Sequence, residues 1–295
     1  MSVVAEGTAF VPGTCGELLQ GVDARGPVLV SLPVELYGTV RVALTDEPSL
    51  TVAPALPKAT AALQVALERS GWKGGVRIQL GGELPHSRGM GSSTADVAGV
   101  IGGVCACAGV ALTQRELLRL LVQVEPSDSS PLSGLWAVDH VAASFATRVA
   151  GSPGHVYVAM VDSMRDTATL AVHAALGPGP CIPDGTLRRT RWDDWSAIGR
   201  VATESARRNQ SRLPNPALDV ACAVAERVDA AGVCVAHSGS VCGVLCPVGL
   251  VQALEARDEF TRTGLHARIL RVRAPGLRVR VRDRPRSRQW RAQRD

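Results

Sequence analysis

Lysine is almost missing from this chain. Of 32 basic residues only Lys58 and Lys73 are lysines. That excludes the Walker pattern G-x-x-x-x-G-K-[ST], whose lysine reaches the β- and γ-phosphates of a nucleotide. The near replacement of lysine by arginine fits a GC-rich coding sequence better than a chemical demand. Aromatic residues make up 3% of the chain, so alanine, valine and leucine must build the core. The eight cysteines form no C-x-x-C pair and meet no histidine at zinc-like spacing, which argues against a zinc site. Reduced thiols in a cytosol are the simplest reading, with Cys15 packing rather than reacting. The opening MSVVAEGTAF lacks the basic start and apolar core of a secretory signal. The uncharged run 97–112 holds four glycines and falls short of the roughly twenty apolar residues a membrane span needs. A cytoplasmic protein with no membrane partner is expected, and that run reads as a buried helix.

A uniform charge is also lacking. The net charge is +5, yet the stretch from Arg262 onward carries twelve arginines against Asp283 and Asp295, a local +10 that leaves about −5 for the rest. The body is therefore not a basic surface, and nucleic acid is not an expected partner.

What is present is 295 residues, 46% hydrophobic, enough for two modest domains. Strands are expected through Glu6–Gln20, with a turn at Pro12-Gly13, and over Val28–Leu44, broken at Pro33. Helical periodicity runs over Pro57–Ser70 and stops at Gly71. Gly75–Leu80 alternates as a strand, and Thr113-x-x-Glu116 is a capping box for a further helix. Leu135–Phe145 reads as a weak helix or loop. Gly151–Gly154 looks like a boundary, dividing the chain into 1–152, 153–283 and an arginine-rich tail 284–295 expected to be disordered. In the second part, a helix is expected over Trp192–Asn209, whose tryptophans pack, and another from Asn215 (N-cap) and Pro216. Short, mainly antiparallel strands alternate with these helices, so the fold class is α+β.

The chain is organised around ELPHSRGMGSSTADVAGV, residues 83–100. A proline turn at Pro85 leads to Gly89-Met90-Gly91 and then to Ser92, Ser93 and Thr94 at the head of the small, apolar helix. Glycines let a backbone approach a ligand closely. The first N–H groups of a helix lack intrahelical partners and lie at the positive end of its dipole, which makes a phosphate cradle. A plain Gly/Ser turn with a serine N-cap is the alternative.

The spacing Pro85-x-x-Arg88-Gly89-Met90-Gly91-Ser92-Ser93-Thr94-Ala95 resembles the phosphate loop of the GHMP small-molecule kinases, roughly P-x-x-x-G-L-G-S-S-A-A. Two further motifs of that family have counterparts in the same order: Val11-Pro12-Gly13-Thr14-Cys15-Gly16-Glu17 near the start and Ala236-His237-Ser238-Gly239-Ser240-Val241-Cys242-Gly243 late in the chain. CGELLQG, RGMGSSTAD, VEPSDS and VAHSGSVCG together resemble one branch, the L-threonine kinases of cobalamin biosynthesis. The resemblance covers roughly residues 5–282 and is weak over 165–210. It implies a two-domain fold, with an N-terminal ribosomal-protein-S5-like domain and a C-terminal ferredoxin-like domain, and transfer of a phosphoryl group from ATP, with Mg²⁺, to a small alcohol. A homodimer is compatible with it.

It also implies roles. Pro85, Arg88, Gly89, Met90, Gly91, Ser92, Ser93 and Thr94 would form the nucleotide loop, with Gly239 supporting it. Ser93 and Glu125 would hold Mg²⁺, and Asp128 would be the base that takes the hydroxyl proton. Glu17, Gln20 and His237 would contribute to the acceptor site. Asp139 is the second candidate base, and Ser-Asp-Ser at Asp128 also reads as an Asx turn. Two departures stand out. The third motif has serines at 238 and 240, and the first has Thr14-Cys15 where many relatives carry a basic residue. The latter leaves no lysine expected near the transferred phosphate. Homoserine or a secondary-metabolite intermediate is an alternative acceptor, and a non-catalytic nucleotide-binding sensor is a reading of another class.

Overall fold

A computed structural model describes residues 2–163 and 179–283. The expectation for the tail 284–295 lies outside the described residues, as does part of the weakly matching middle.

Two long strands, β1 (Val3–Asp23) and β2 (Gly26–Thr45), pair antiparallel around a tight turn. The expected break at Pro33 does not occur, and neither does the turn at Pro12-Gly13. The chain runs through both, because register shifts between Pro12 and Gly13, Thr14 and Glu17, and Glu17 and Leu19 absorb the irregularity. Such bulges leave a residue unpaired and re-aim the strand; here the segment between them, Gly13–Glu17, is buried throughout. β2 continues to β4 (Gly75–Gly82), which takes β3 (Leu50–Ala53) in parallel. β11 (Arg278–Asp283) lies along the first half of β1.

Helices α1 (Pro57–Ser70) and α2 (Ser92–Cys107) are followed by α3 (Gln114–Leu121). α2 packs against both α1 and β2, and its small residues permit the close approach. A Cβ on Gly99 would come within 2.3 Å of the Val40 side chain, and one on Gly103 within 2.7 Å of Val42. Val97, Val100, Ile101 and Val104 are fully buried, in one core with Val11, Val40, Val42 and Ile78. The uncharged run is thus a buried helix, and among the described residues no helix is long and apolar enough to cross a membrane. The capping box forms: Thr113 Oγ1 accepts from the Glu116 N–H, and Glu116 Oε2 accepts from the Thr113 N–H.

Residues 135–145 are not helical. β5 (Leu135–Val138) forms a hairpin with β6 (Ala146–Ala150). Asp139 shapes the intervening turn, its carboxylate accepting from the N–H groups of Val141, Ala142 and Ser144.

The second half builds β7 (Tyr157–Asp162), β8 (Gly232–Val235), β9 (Val241–Cys246) and β10 (Arg268–Arg271) in the antiparallel order β10-β7-β9-β8. Its helices are a short α4 (Thr186–Arg189), then α5 (Trp195–Asn209), α6 (Leu218–Arg227) and α7 (Leu250–Arg262). α6 starts later than the expected Asn215 cap. Asn215 accepts from the Ala217 N–H while its amide donates to the carbonyls of Ser240 and Val241, so its side chain ties the turn to the third motif instead.

The halves meet where Glu17 of β1 pairs with Val235 of β8 and Val34 bridges to Val272. A core cluster with residues of both halves, including Leu18, Leu36, Met90, Val158 and Leu245, fills this seam. The sheet therefore brings all three motifs together at its middle.

Candidate active site

The loop ahead of α2 has the backbone that its glycines allow. Gly89 and Gly91 have φ of 77° and 72°, the left-handed region that side chains disfavour. Gly91, not a serine, is the N-cap of α2, and no side chain caps it. The leading amides of the helix are thus presented to the cleft by Gly91, Ser92 and Ser93, which all line it.

The other motifs hold this loop from two sides. The Thr14 N–H donates to the Met90 carbonyl at 3.0 Å, and the Ser240 N–H donates to the Arg88 carbonyl at 3.0 Å. A Cβ on Gly239 would lie 2.3 Å from the Gly89 Cα, so only glycine lets the third motif pack here. Gly239 acts on the nucleotide loop through this contact. Met90 is buried in the seam and anchors the loop. Pro85 is exposed in the turn ahead of it. Arg88 is turned to Asp162, with Nε 3.6 Å from Oδ2, and Ser240 Oγ donates to the other oxygen of the same carboxylate.

A cleft of about 320 Å³ opens beside the loop. On its wall the Ser93 hydroxyl donates to Glu125 Oε1 at 2.6 Å. Lys58, from the first turn of α1, donates to Ser93 Oγ at 3.1 Å and forms an ion pair with Glu125 Oε2. A lysine does stand beside the phosphate loop, then, contrary to what the first motif suggested. It arrives from outside all three motifs, and its only trace in the sequence was its rarity.

Asp128 faces Gly91 so closely that a Cβ there would come within 2.8 Å of Oδ2. Its N–H donates to Thr94 Oγ1 at 3.2 Å, which fixes the residue against α2. Burial pushes its carboxyl up to about 6, the Glu125 charge adds to the shift, and the Thr94 hydroxyl opposes it. Glu17, which lines the same cleft, is buried, and its carboxyl is held well above the usual range by burial and then by Asp128, against the His237 N–H. That N–H donates to Glu17 Oε2 at 2.8 Å. Asp96, on the next turn of α2, is raised to about 6 by burial, with His86 opposing and Glu125 reinforcing. Asp139 behaves in the opposite way. Burial alone would raise it, but bonds from Ser144, Ala142 and Val141 outweigh that and lower it. It is spent on the β5–β6 turn and does not line the cleft.

Of the candidate acceptor residues, Glu17 and Gln20 line the cleft. His237 stands behind them, its backbone on Glu17 and its Nε2 3.2 Å from Ser205 Oγ. Ser205 Oγ also accepts from the Gln20 N–H at 3.1 Å, so His237 and α5 brace this wall. His86 and His140 line the cleft as well. Cys15 is buried and its carbonyl accepts from the Cys234 thiol, a packing role.

Ser93 and Glu125 fit a magnesium ion: two hard oxygens, adjacent, beside the phosphate loop. Among the described residues no cluster of three or more His, Cys, Asp or Glu could cage a metal. Mg²⁺ suits such a place, since it keeps several waters and takes one or two protein oxygens plus substrate phosphates.

Comparisons with known proteins place the chain in a family. The family model described as GHMP kinases N terminal domain matches residues 57–146, and that described as GHMP kinases C terminal matches 187–262. The chain is 31% identical over 258 residues to an L-threonine kinase of Salmonella typhimurium, covering 80% of this chain and 82% of that one. It is 32% identical over 250 residues to an L-threonine kinase of Citrobacter freundii, covering 80% and 85%. Among solved structures, a homoserine kinase from Cytophaga hutchinsonii superposes with a TM-score of 0.66 at 16% identity, covering 93% of this chain and 97% of that one. Loop, seam and relatives converge: the chain belongs to the GHMP kinases, two-domain α+β enzymes that transfer a phosphoryl group from ATP.

Proposed function

We propose that this kinase phosphorylates the side-chain hydroxyl of L-threonine, giving O-phospho-L-threonine. The observation that carries the reading is the placement of Asp128 against Gly91, in a cleft that the buried acid Glu17 also lines. Amides of Gly89–Ser93 hold the phosphates. Ser93 and Glu125 would hold Mg²⁺, which would neutralise phosphate charge. Asp128 lies three residues beyond Glu125 on the same loop and accepts the proton of the acceptor hydroxyl. Its raised proton affinity suits a base working near neutral pH, because it remains ionised above about pH 6.

The acceptor side is acidic, walled by Glu17 and Asp128 with Gln20 between the seam and α5. That favours an alcohol bearing an ammonium group, since an anionic alcohol would meet like charge. The two L-threonine kinases that match most of this chain support threonine in particular. The division into a nucleotide-binding part, 1–152, and a second part, 153–283, belongs to the same proposal. ADP release measured with L-threonine, L-homoserine, L-serine and mevalonate tests it. L-Threonine is expected to give the highest kcat/KM and mevalonate no signal. A preference for homoserine would move the assignment to the alternative acceptor.

A further inference from the structure

Lys58 belongs to none of the three motifs, yet its ammonium ends within the cleft, 3.1 Å from Ser93 Oγ and paired with Glu125. The first motif, where many GHMP kinases carry a basic residue, offers Thr14 and Cys15, and both are fully buried. Arg88 is turned to Asp162. Among the described residues that line the cleft, Lys58 is the lone lysine or arginine, beside Glu17, Glu125 and Asp128. It keeps 30% of its side-chain surface exposed while Glu125 keeps 4%, so the lysine is the partner with room to move. In a chain that uses arginine for 30 of 32 basic positions, this position has the compact ammonium. Such a group can turn between oxygens on a flexible stem, where a planar guanidinium fork is fixed in its geometry.

We propose that Lys58 is the phosphate-neutralising cation of this enzyme, and that it alternates between two partners. Without nucleotide it compensates Glu125 and Ser93, the oxygens that suit a divalent cation. A divalent cation held on those oxygens would free the ammonium for phosphates lying on the neighbouring amides. Lys58 takes no part in the bond changes: the bond from the γ-phosphorus to ADP breaks, the bond to the acceptor oxygen forms, and the hydroxyl proton goes to the base. The inference rests on the kinase reading of the site and is independent of which alcohol is the acceptor.

Lys58→Met, which keeps the stem, and Lys58→Arg test it, each checked for folding by circular dichroism. Binding of Mn²⁺ to the nucleotide-free protein, counted by electron paramagnetic resonance, reports the competition without turnover. Lys58→Met should bind Mn²⁺ at least about fivefold more tightly than the parent, since the competing cation is gone. ATP affinity in EDTA should fall about tenfold or more and kcat about 10²-fold or more. Lys58→Arg should recover ATP affinity more than kcat. Unchanged Mn²⁺ and ATP affinities in Lys58→Met would overturn the proposal and leave Lys58 as a structural ion pair. If the parent binds ATP but does not turn over L-threonine, the acceptor assignment fails and the two binding arms still decide the role of Lys58.

Discussion

Asp128, the proposed base, has a cost to the fold. A carboxyl whose proton affinity is raised by folding stabilises the protein while it is protonated. That contribution is complete below the ordinary carboxylate range and is lost as pH rises through the folded value, here about 6. The nucleotide-free enzyme should therefore lose thermal stability between about pH 4 and pH 7, with Glu17, shifted the same way, adding to the loss. Asp128→Asn removes its part of that charge. It should raise stability at pH 8 by about 1–3 kcal/mol and flatten the pH dependence of the melting temperature. In the same variant kcat should fall at least about 10²-fold with ATP affinity retained. A variant equally stable at pH 8 and equally active would contradict both roles. At this scale the sequence was readable where residues sit in short motifs: Ser93, Glu125 and Asp128 all reach one cleft. Lys58 was not readable, because α1 carries it in from 35 positions before Ser93 and only the packing of α1 on α2 joins them.

Among the elements, the glycine loop and its two supports matter most. Gly239 packs on the loop and is not among the residues lining the cleft, so its replacement tests support of the loop. A Cβ there meets the Gly89 Cα at 2.3 Å and the Arg88 carbonyl at 2.5 Å, both backbone, so no side chain can yield. Gly239→Ala should weaken ATP binding about tenfold or more and cost about 1–3 kcal/mol in stability, as overpacking does. Normal ATP affinity in a folded variant would mean the loop does not depend on this contact. Periodicity and caps made the helices legible, and α1 falls where its pattern runs, Pro57 to the glycine stop. The strands were harder. Pro33 reads locally as a break, but bulges in β1 let β2 continue past it, and a bulge is a property of two strands that neither shows alone.

For the whole molecule, function depends on a seam. β1 runs from the first half into the second, pairs with β8 at Glu17 and Val235, and so brings Glu17 and Gln20 into the cleft that the glycine loop lines. The order of the motifs along the chain was visible in the sequence. Their meeting was not, since it follows from long-range pairing that no local pattern encodes. The arginine-rich end divides at β11, which lies along β1 and carries Arg278, Arg280 and Arg282. Removing residues 284–295 should leave kcat and KM within about twofold, because every described strand and cleft residue lies before them; a tenfold loss would give the tail a part in the reaction.

The central claim is that one cleft holds the phosphates by backbone amides while Asp128 takes the proton of the hydroxyl of L-threonine. Its most direct test is acceptor-dependent ADP release at pH 7.5 by the parent enzyme and by Asp128→Asn, with ATP binding measured on both. Release that requires L-threonine, and falls at least about 10²-fold in the variant with ATP affinity intact, is the predicted result. Near-equal turnover by the two proteins, or release indifferent to L-threonine, would contradict it.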